Sequence, residues 1–343
     1  MPSTPEEELR AAIDEDAGLK PGKHGSRRWL VLAFRITLSL GMLWFLVTKI
    51  GDSGSPEFPE WTWSTGLWLA GALLLTLAGI VLSAARWQAV LEAMGQHTRF
   101  GRLLSHYLAG QFVANVLPTT IGGDVLRVSR LSRDSGMGPT SFASVVLERL
   151  TGWVVLPAMT FFGFLVNPGL RHLGRATQVA ISLAAGTLVL LALVVLAVAS
   201  HRYGDVDAEK GWRRFLAAVS MGIHQLRLHP RQAFSVLAVG LAYQLVLVGA
   251  AVMAARAMGI DAAGPTALLA FFPAVAIAQV LPISISGLGV REGLFALFLR
   301  PLGVPTKQAV ALGLLLYLLN LIVSLLGAPS FAIGGRRRAT PAA

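Results

Sequence analysis

The chain alternates long apolar runs with short polar segments, and the lengths of the runs predict helices that cross a membrane. A helix needs about 20 apolar residues to cross roughly 30 Å of hydrocarbon. Six runs reach that length, at 29–48, 65–87, 141–166, 177–199, 233–255 and 308–333. Two further runs, 103–117 and 266–281, are shorter, and each ends at a Leu-Pro pair. The pattern predicts an all-α polytopic membrane protein with six full transmembrane helices and two re-entrant or broken helices.

The two Leu-Pro pairs belong to a stretch that the chain contains twice. "VLPTTIGGDVLR" and "VLPISISGLGVR" align without a gap and share Val, Leu, Pro, Ile, Gly and Arg. Thr120 aligns with Ser284, and just before the motifs Asn115 aligns with Gln279. In each half of the chain, two long runs precede the motif and one follows it. We therefore expect two membrane repeats, at 29–166 and 177–333.

Basic residues predict how these repeats lie in the membrane. Lys and Arg collect in cytoplasmic loops, and most of the 29 in this chain fall on one side if both short runs are re-entrant. Both termini are then cytoplasmic, and 200–231 is a cytosolic loop with an interfacial helix. Three crossings per half invert the second repeat, as in many secondary transporters. Full crossings by the short runs remain the alternative and would place 200–231 outside.

The ends of the chain read as cytosolic tails. The acidic, polar segment 1–28 lacks the apolar stretch of a signal peptide and is expected to be a disordered tail. Residues 334–343 are expected to form a basic tail.

Each copy of the motif predicts a helix that is interrupted inside the membrane. Pro118 and Pro282 end the first helix, and the polar, glycine-containing stretch after each proline is tolerated there only if it lines a cavity or is buried in protein. A second helix should start near Asp124 and near Val290. Its first turn would present free N–H groups and a positive dipole end that attract anions.

Arg127 and Arg291 occupy the same position in the two motifs, within this predicted first turn. An arginine inside a bilayer costs at least about 2.5–3.5 kcal/mol, so a matched pair indicates a function, and a guanidinium can bind phosphate through two hydrogen bonds. Alternatively, each arginine reaches an interface or neutralises a nearby carboxylate. The other candidate residues for a headgroup or anion site are Thr120, Gly123, Ser284, Gly287, Gly289, Asn115 and Gln279; those for coupling or ion pairing are Asp124, Glu148, Arg149 and Glu292.

Composition narrows the class of function. The chain is 54% hydrophobic and 14% charged, whereas a soluble domain carries about 25% charged residues. It has no cysteine, and no pair among its seven histidines has zinc-ligand spacing. We therefore expect no metal, no other cofactor and no catalytic site. The net charge of +11 fits cytoplasmic loops beside anionic lipids better than nucleic acid.

Three segments carry a resemblance to a known family: "NVLPTTIGGDVLRVSRL" (115–131), "VVLERLTGW" (145–153) and "LPISISGLGVREGLFALFLRPLGVP" (281–305). They resemble the flippase-like membrane domain of the lysylphosphatidylglycerol synthase/flippase family, over about 29–335. The resemblance implies a domain that moves a lipid between leaflets. The chain ends ten residues after its last predicted span, so we expect a stand-alone member without the aminoacyl transferase domain of fused members. The positions carried over are Pro118, Gly123, Arg127, Glu148, Arg149, Pro282, Gly287, Gly289, Arg291 and Glu292.

The function expected from these features is a flippase in the plasma (inner) membrane. Its cargo would be a phosphate-bearing lipid: a phospholipid, an aminoacylated phospholipid or a polyprenyl-phosphate-linked lipid. A homo-oligomer or a partner synthase are possible associations. A secondary transporter of a small anionic solute remains an alternative. So does a membrane-embedded glycosyl or lipid transferase, for which Asp205 and Asp207 would be the metal-nucleotide ligands.

Overall fold

The computed structural model describes residues 61–116, 122–200, 211–280 and 287–334, which contain helices and no strand. The α-helices are α1 (Trp63–Ala93), α2 (Phe100–Val116), α3 (Gly122–Ser135), α4 (Gly138–Val166), α5 (Arg175–Ser200), α6 (Trp212–Leu228), α7 (Pro230–Ala257), α8 (Pro265–Val280), α9 (Val290–Leu299), α10 (Thr306–Leu325) and α11 (Gly327–Gly334). Two short 3₁₀ helices, Pro168–His172 and Arg300–Leu302, follow α4 and α9. The predicted all-α class is confirmed.

Five of the described helices are long and apolar enough to cross a membrane: α1, α4, α5, α7 and α10. They coincide with five of the six long runs. Many of their large apolar side chains point away from the protein, including Phe162, Leu193 and Phe234. Such faces suit contact with lipid tails. Together with the five long apolar helices, they identify the protein as an integral membrane protein. The predicted first span, 29–48, and the tail 1–28 lie outside the described residues, as does nearly all of 334–343.

The predicted last span, 308–333, is wrong at its C-terminal end. Helix α10 ends at Leu325, and α11 starts after Leu326 as a separate short helix. Gly327 packs onto the backbone carbonyl of Leu108 in α2, where a Cβ has no room. The rings of Phe112 and Phe331 then lie 5.7 Å apart. The apolar run is continuous because both helices are apolar, but the helix is interrupted at Leu326 within it.

Each short run is the first half of a helical hairpin. In the first hairpin, His106 of α2 lies 2.9 Å from Asp134 at the end of α3, and Gly110 packs against Gly123 near its start. Helix α3 therefore runs back alongside α2. The second helices begin at Gly122 and Val290, close to the predicted starts.

The second hairpin is built in the same way from α8 and α9. The rings of Phe271 and Phe298 stack with 4.9 Å between their centroids. Nearer the break, Gly287 packs against the side chain of Gln279. Its φ of +74° and this close contact both favour glycine.

Small residues allow α1 and α7 to pack closely along their lengths. Gly71 and Gly79 of α1 face Met253 and Leu247 of α7, and Gly249 of α7 faces Leu75. Apolar helices in lipid associate through such small-residue contacts because there is no hydrophobic driving force between them. This central pair supports the helices that line the site.

Helix α6 lies within the segment 200–231, where an interfacial helix was expected. Its residues Leu216, Val219 and Gly222 are buried, and Gly222 faces Leu147 of α4. Trp212 at its start is 68% exposed. The location of this helix at the membrane surface stays a prediction.

Candidate functional site

A cavity of about 360 Å³ lies where the two hairpins meet the long helices. Its walls include residues of α1 to α4 and of α7 to α10, and thus of both halves of the chain. Among the described lining residues, the charged ones are Arg86, Arg127, Arg149, Arg291, Asp124 and Glu148. The structure therefore brings the two motif arginines to one cavity, although they are 164 residues apart in sequence.

Glu148 of α4 holds two arginines from two other helices. Arg127 of α3 donates from Nη1 and Nη2 to Glu148 Oε2, both at 3.3 Å. Arg86 of α1 donates from Nη2 to the other oxygen, Oε1. The exposed fractions are 5% for each arginine and 2% for the glutamate. Because breaking a buried pair leaves a charge without compensation, Glu148 ties α1, α3 and α4 together.

Two aromatic rings fix the guanidinium of Arg127. Its Cζ atom lies 4.2 Å from the ring centroid of Trp87 and 4.5 Å from that of Tyr107, within cation–π range. The side chain passes Gly110, where a Cβ would lie 2.8 Å from Arg127 Cγ. Arg127 is the sixth residue of α3. Its predicted place in the first turn is wrong, because the helix starts two residues before Asp124.

Asp124 lies in the first turn of α3 and pairs with arginines on two helices. Arg149 of α4 forms an ion pair with Asp124 Oδ2, and Arg127 Nη1 lies 3.4 Å from Oδ1. The side chain of Arg149 is 47% exposed. Glu148 and Arg149 are neighbours in sequence but take different partners, since adjacent residues of a helix project about 100° apart.

Arg291 has a different environment from Arg127. It donates from Nε and Nη2 to Oε1 of the neighbouring Glu292, at 3.1 and 2.9 Å. Glu292 is 0% exposed, and its Oε2 accepts the N–H of Gly289 at 2.6 Å. Arg291 Cζ also lies 5.1 Å from the ring centroid of Tyr317. The start of α9 is thus capped by a carboxylate of the protein itself, which leaves less of its positive end for a ligand.

The other predicted site residues fall into two groups. Gly123 and Gln279 line the cavity, Gly287 and Gly289 take positive φ before α9, and Asn115 accepts a 3.0 Å hydrogen bond from Asn320 of α10. Thr120, Ser284, Pro118 and Pro282 lie outside the described residues.

Sequence reasoning missed Arg86 and Tyr243. Arg86 lies at the end of the predicted run 65–87. Helix α1 continues to Ala93 with Val90 and Leu91 buried, so Arg86 lies inside the protein, 5.1 Å from the ring centroid of Tyr243. The apolar residues after Arg86, at helical spacing, were the signal that the helix extends further.

Comparison with known proteins identifies the kind of membrane region that holds this site. Residues 32–327 match the family described as the lysylphosphatidylglycerol synthase TM region. The chain belongs to this family. Membership of the lysylphosphatidylglycerol synthase TM-region family is consistent with a function related to membrane lipids.

One curated relative matches a limited part of this chain. The chain is 27% identical over 106 residues to UPF0104 membrane protein MJ1595 of Methanocaldococcus jannaschii. The aligned part covers 30% of this chain and 32% of the relative. The match thus spans about 32% of the relative's length. The relative's name states no cargo or reaction.

Proposed function

We propose that the protein is a flippase that moves a phosphate-bearing lipid between the two leaflets of the plasma membrane. The observation that carries the proposal is the cavity shared by Arg127 and Arg291, one from each copy of the doubled motif. The headgroup phosphate would bind between these arginines. The surroundings of the phosphate would be shaped by the other candidate residues of the motifs: Asn115, Gly123, Gln279, Gly287, Gly289, Thr120 and Ser284.

The charges around the cavity favour an anionic ligand. Among the described lining residues there are four guanidinium groups and two carboxylates, and Glu292 beside Arg291 adds a third carboxylate. One positive charge is left over. A buried charge without a partner is costly, and a phosphodiester carries the single negative charge that would compensate it.

The size of the cavity supports a lipid whose chains stay in the bilayer. A volume of about 360 Å³ is at the lower end of the roughly 300–1,000 Å³ usual for small-molecule sites. It suits a headgroup, and two acyl chains would remain in hydrocarbon. A phospholipid, an aminoacylated phospholipid and a polyprenyl-phosphate-linked lipid all fit this description.

The packing of the helices supports an inverted repeat with alternating access. The repeat makes α1 equivalent to α7 and the α2–α3 hairpin equivalent to α8–α9. Helices α1 and α7 pack on each other, as two equivalent helices do when a pseudo-twofold axis passes between them. In this scheme both termini are cytoplasmic, and each hairpin enters from one side. As the site opens, a proton whose movement drives transport would be carried by Asp124, Glu148 or Glu292. Alternatively, these carboxylates would exchange ion pairs with the arginines.

Lipid transport by arginine variants in vesicles tests the proposal. Purified protein is reconstituted with a headgroup-labelled phosphatidylglycerol, and the rate at which the label becomes protected from an external quencher is measured. We expect Arg127→Lys and Arg291→Lys to slow transport about tenfold or more, because lysine cannot bind phosphate through a planar fork. Arg256→Lys is the control, since Arg256 pairs with exposed Asp261. Wild-type rates in both motif variants would refute the assigned roles.

The same vesicles distinguish the alternative of a small-anion transporter. Inhibition of lipid movement by soluble glycerol phosphate would fit a shared site, whereas uptake of that solute without lipid movement would favour a secondary transporter of small anions. The transferase alternative depends on Asp205 and Asp207, which lie outside the described residues.

A further inference from the structure

Arg86 is a buried arginine that uses only part of its hydrogen-bonding capacity. It projects from α1, is 5% exposed and donates from Nη2 to Glu148. Its Nε and Nη1 atoms are both buried and have no hydrogen-bond partner among the residues that the structure describes. Buried N–H donors are almost always paired, and those of a charged group are the most costly to leave unpaired. The free donors therefore call for an acceptor.

Arg86 lies at the wall of the cavity, with its guanidinium packed closely against a glycine. Arg86 faces a glycine on each of two neighbouring helices: a Cβ on Gly152 of α4 would lie 2.9 Å from Nη1, and a Cβ on Gly240 of α7 would lie 3.4 Å from Cδ. Arg86 and Gly152 both line the cavity. Gln244 of α7 lines it as well, and its Oε1 is also buried, with no partner in the described part of the chain.

The ion pairs around Arg86 leave one positive charge without a partner. Glu148 is shared by Arg86 and Arg127, while Arg149 pairs with Asp124. Among these described residues, three guanidiniums share two carboxylates. The missing negative charge and the unpaired donors of Arg86 thus occur at the same place.

We propose that Arg86 forms an anion subsite, in which its free donors, Nη1 first of all, bind an oxygen of a tetrahedral phosphate group. Glu148 stays on Nη2 and orients the guanidinium, while Gly152, which has no side chain, lets Nη1 lie close against α4 at the cavity wall. The phosphate comes from a lipid headgroup if the proposed lipid transport is right, on which this part of the inference rests. Free phosphate is the other source of the same chemistry.

Two variants separate the subsite from the fold. Arg86→Lys keeps a positive charge for Glu148 but removes the free guanidinium donors, with Arg256→Lys as control. Gly152→Ala places a methyl group 2.9 Å from Nη1, which forces the guanidinium to shift but keeps the arginine and its charge. Its control is Gly138→Ala on the same helix, where the nearest atom, Ser132 Oγ, is 4.0 Å from the added Cβ. Thermal unfolding of each variant without ligand identifies any that fails to fold.

Binding is measured on the purified full chain with inorganic phosphate and, in nanodiscs, with phosphatidylglycerol against uncharged diacylglycerol. We expect Arg86→Lys and Gly152→Ala to weaken binding of the phosphate-bearing probes about tenfold or more, with both controls like wild type. Wild-type affinity in a folded Arg86→Lys protein, with binding lost in Arg127→Lys, would overturn the Arg86 subsite and keep the proposed function. Binding of inorganic phosphate that depends on Arg86, without selection for phosphatidylglycerol over diacylglycerol, would support the subsite and refute the lipid cargo.

Discussion

Two guanidiniums share one carboxylate in the cluster of Arg86, Arg127 and Glu148. Removing the carboxylate would leave both arginines buried without their main partner. Among the described residues, Arg127 has a second carboxylate nearby, Asp124 at 3.4 Å, and Arg86 has none. Glu148 therefore has a structural role whatever the cargo is. Its additional role in transport is to hold the arginines in position while leaving donors free for an anion.

We expect Glu148→Gln to destabilise the protein by about 3–5 kcal/mol, the cost of breaking a buried ion pair. The amide keeps the shape of the side chain but not its charge. The measurement is unfolding of the purified protein in detergent. Glu92→Gln is the matched control on α1, because exposed Glu92 accepts only an exposed hydrogen bond from Gln88. Equal stability of the two variants would show that the buried ion pairs contribute little.

At the level of elements, run length predicted the five long helices that the structure describes, and the two short runs predicted α2 and α8. Run length could not predict where α10 ends, because hydropathy does not record an interruption of the helix inside an apolar run. Pro329, the third residue of α11, was the available signal, since proline is tolerated in the first turn of a helix. The motif arginines were predicted from the repeat, whereas Arg86 and Tyr243 are not repeated and reach the site only through packing.

The first hairpin depends on close contact between α2 and α3 at glycine. A Cβ on Gly123 would collide with the carbonyl oxygen of Gly110 and lie 2.9 Å from Cβ of Ala114. We expect Gly123→Ala to cost about 1–3 kcal/mol through overpacking, seen as earlier thermal unfolding and faster proteolysis. Gly101→Ala in α2 meets no atom within 4 Å and should be neutral or slightly stabilising. If the two variants unfold alike, the hairpin is looser than described.

At the scale of the whole molecule, the site depends on how the hairpins enter the membrane. If both are re-entrant from opposite sides, the two motif arginines approach one cavity from opposite leaflets, and a phosphate can pass from one to the other. Each hairpin returns to the side from which it enters, since its second helix runs back alongside its first, so the flanking loops report the side of entry. If both hairpins entered from the same side, the cavity would have no such relation to the two leaflets. The mechanism of transport is therefore tied to the sidedness of a few loops.

The absence of native cysteine makes this sidedness measurable with single-cysteine variants and a membrane-impermeant maleimide. The exposed positions are His97 before α2, His172 after α4, Arg213 in α6 and Ala262 before α8. We expect His172→Cys and Ala262→Cys to be labelled in intact cells, and His97→Cys and Arg213→Cys only after lysis. Labelling of both position 97 and position 262 in intact cells, or of neither, would mean that both hairpins enter from the same side. The phosphate would then need a route other than transfer between two hairpins that open to opposite sides.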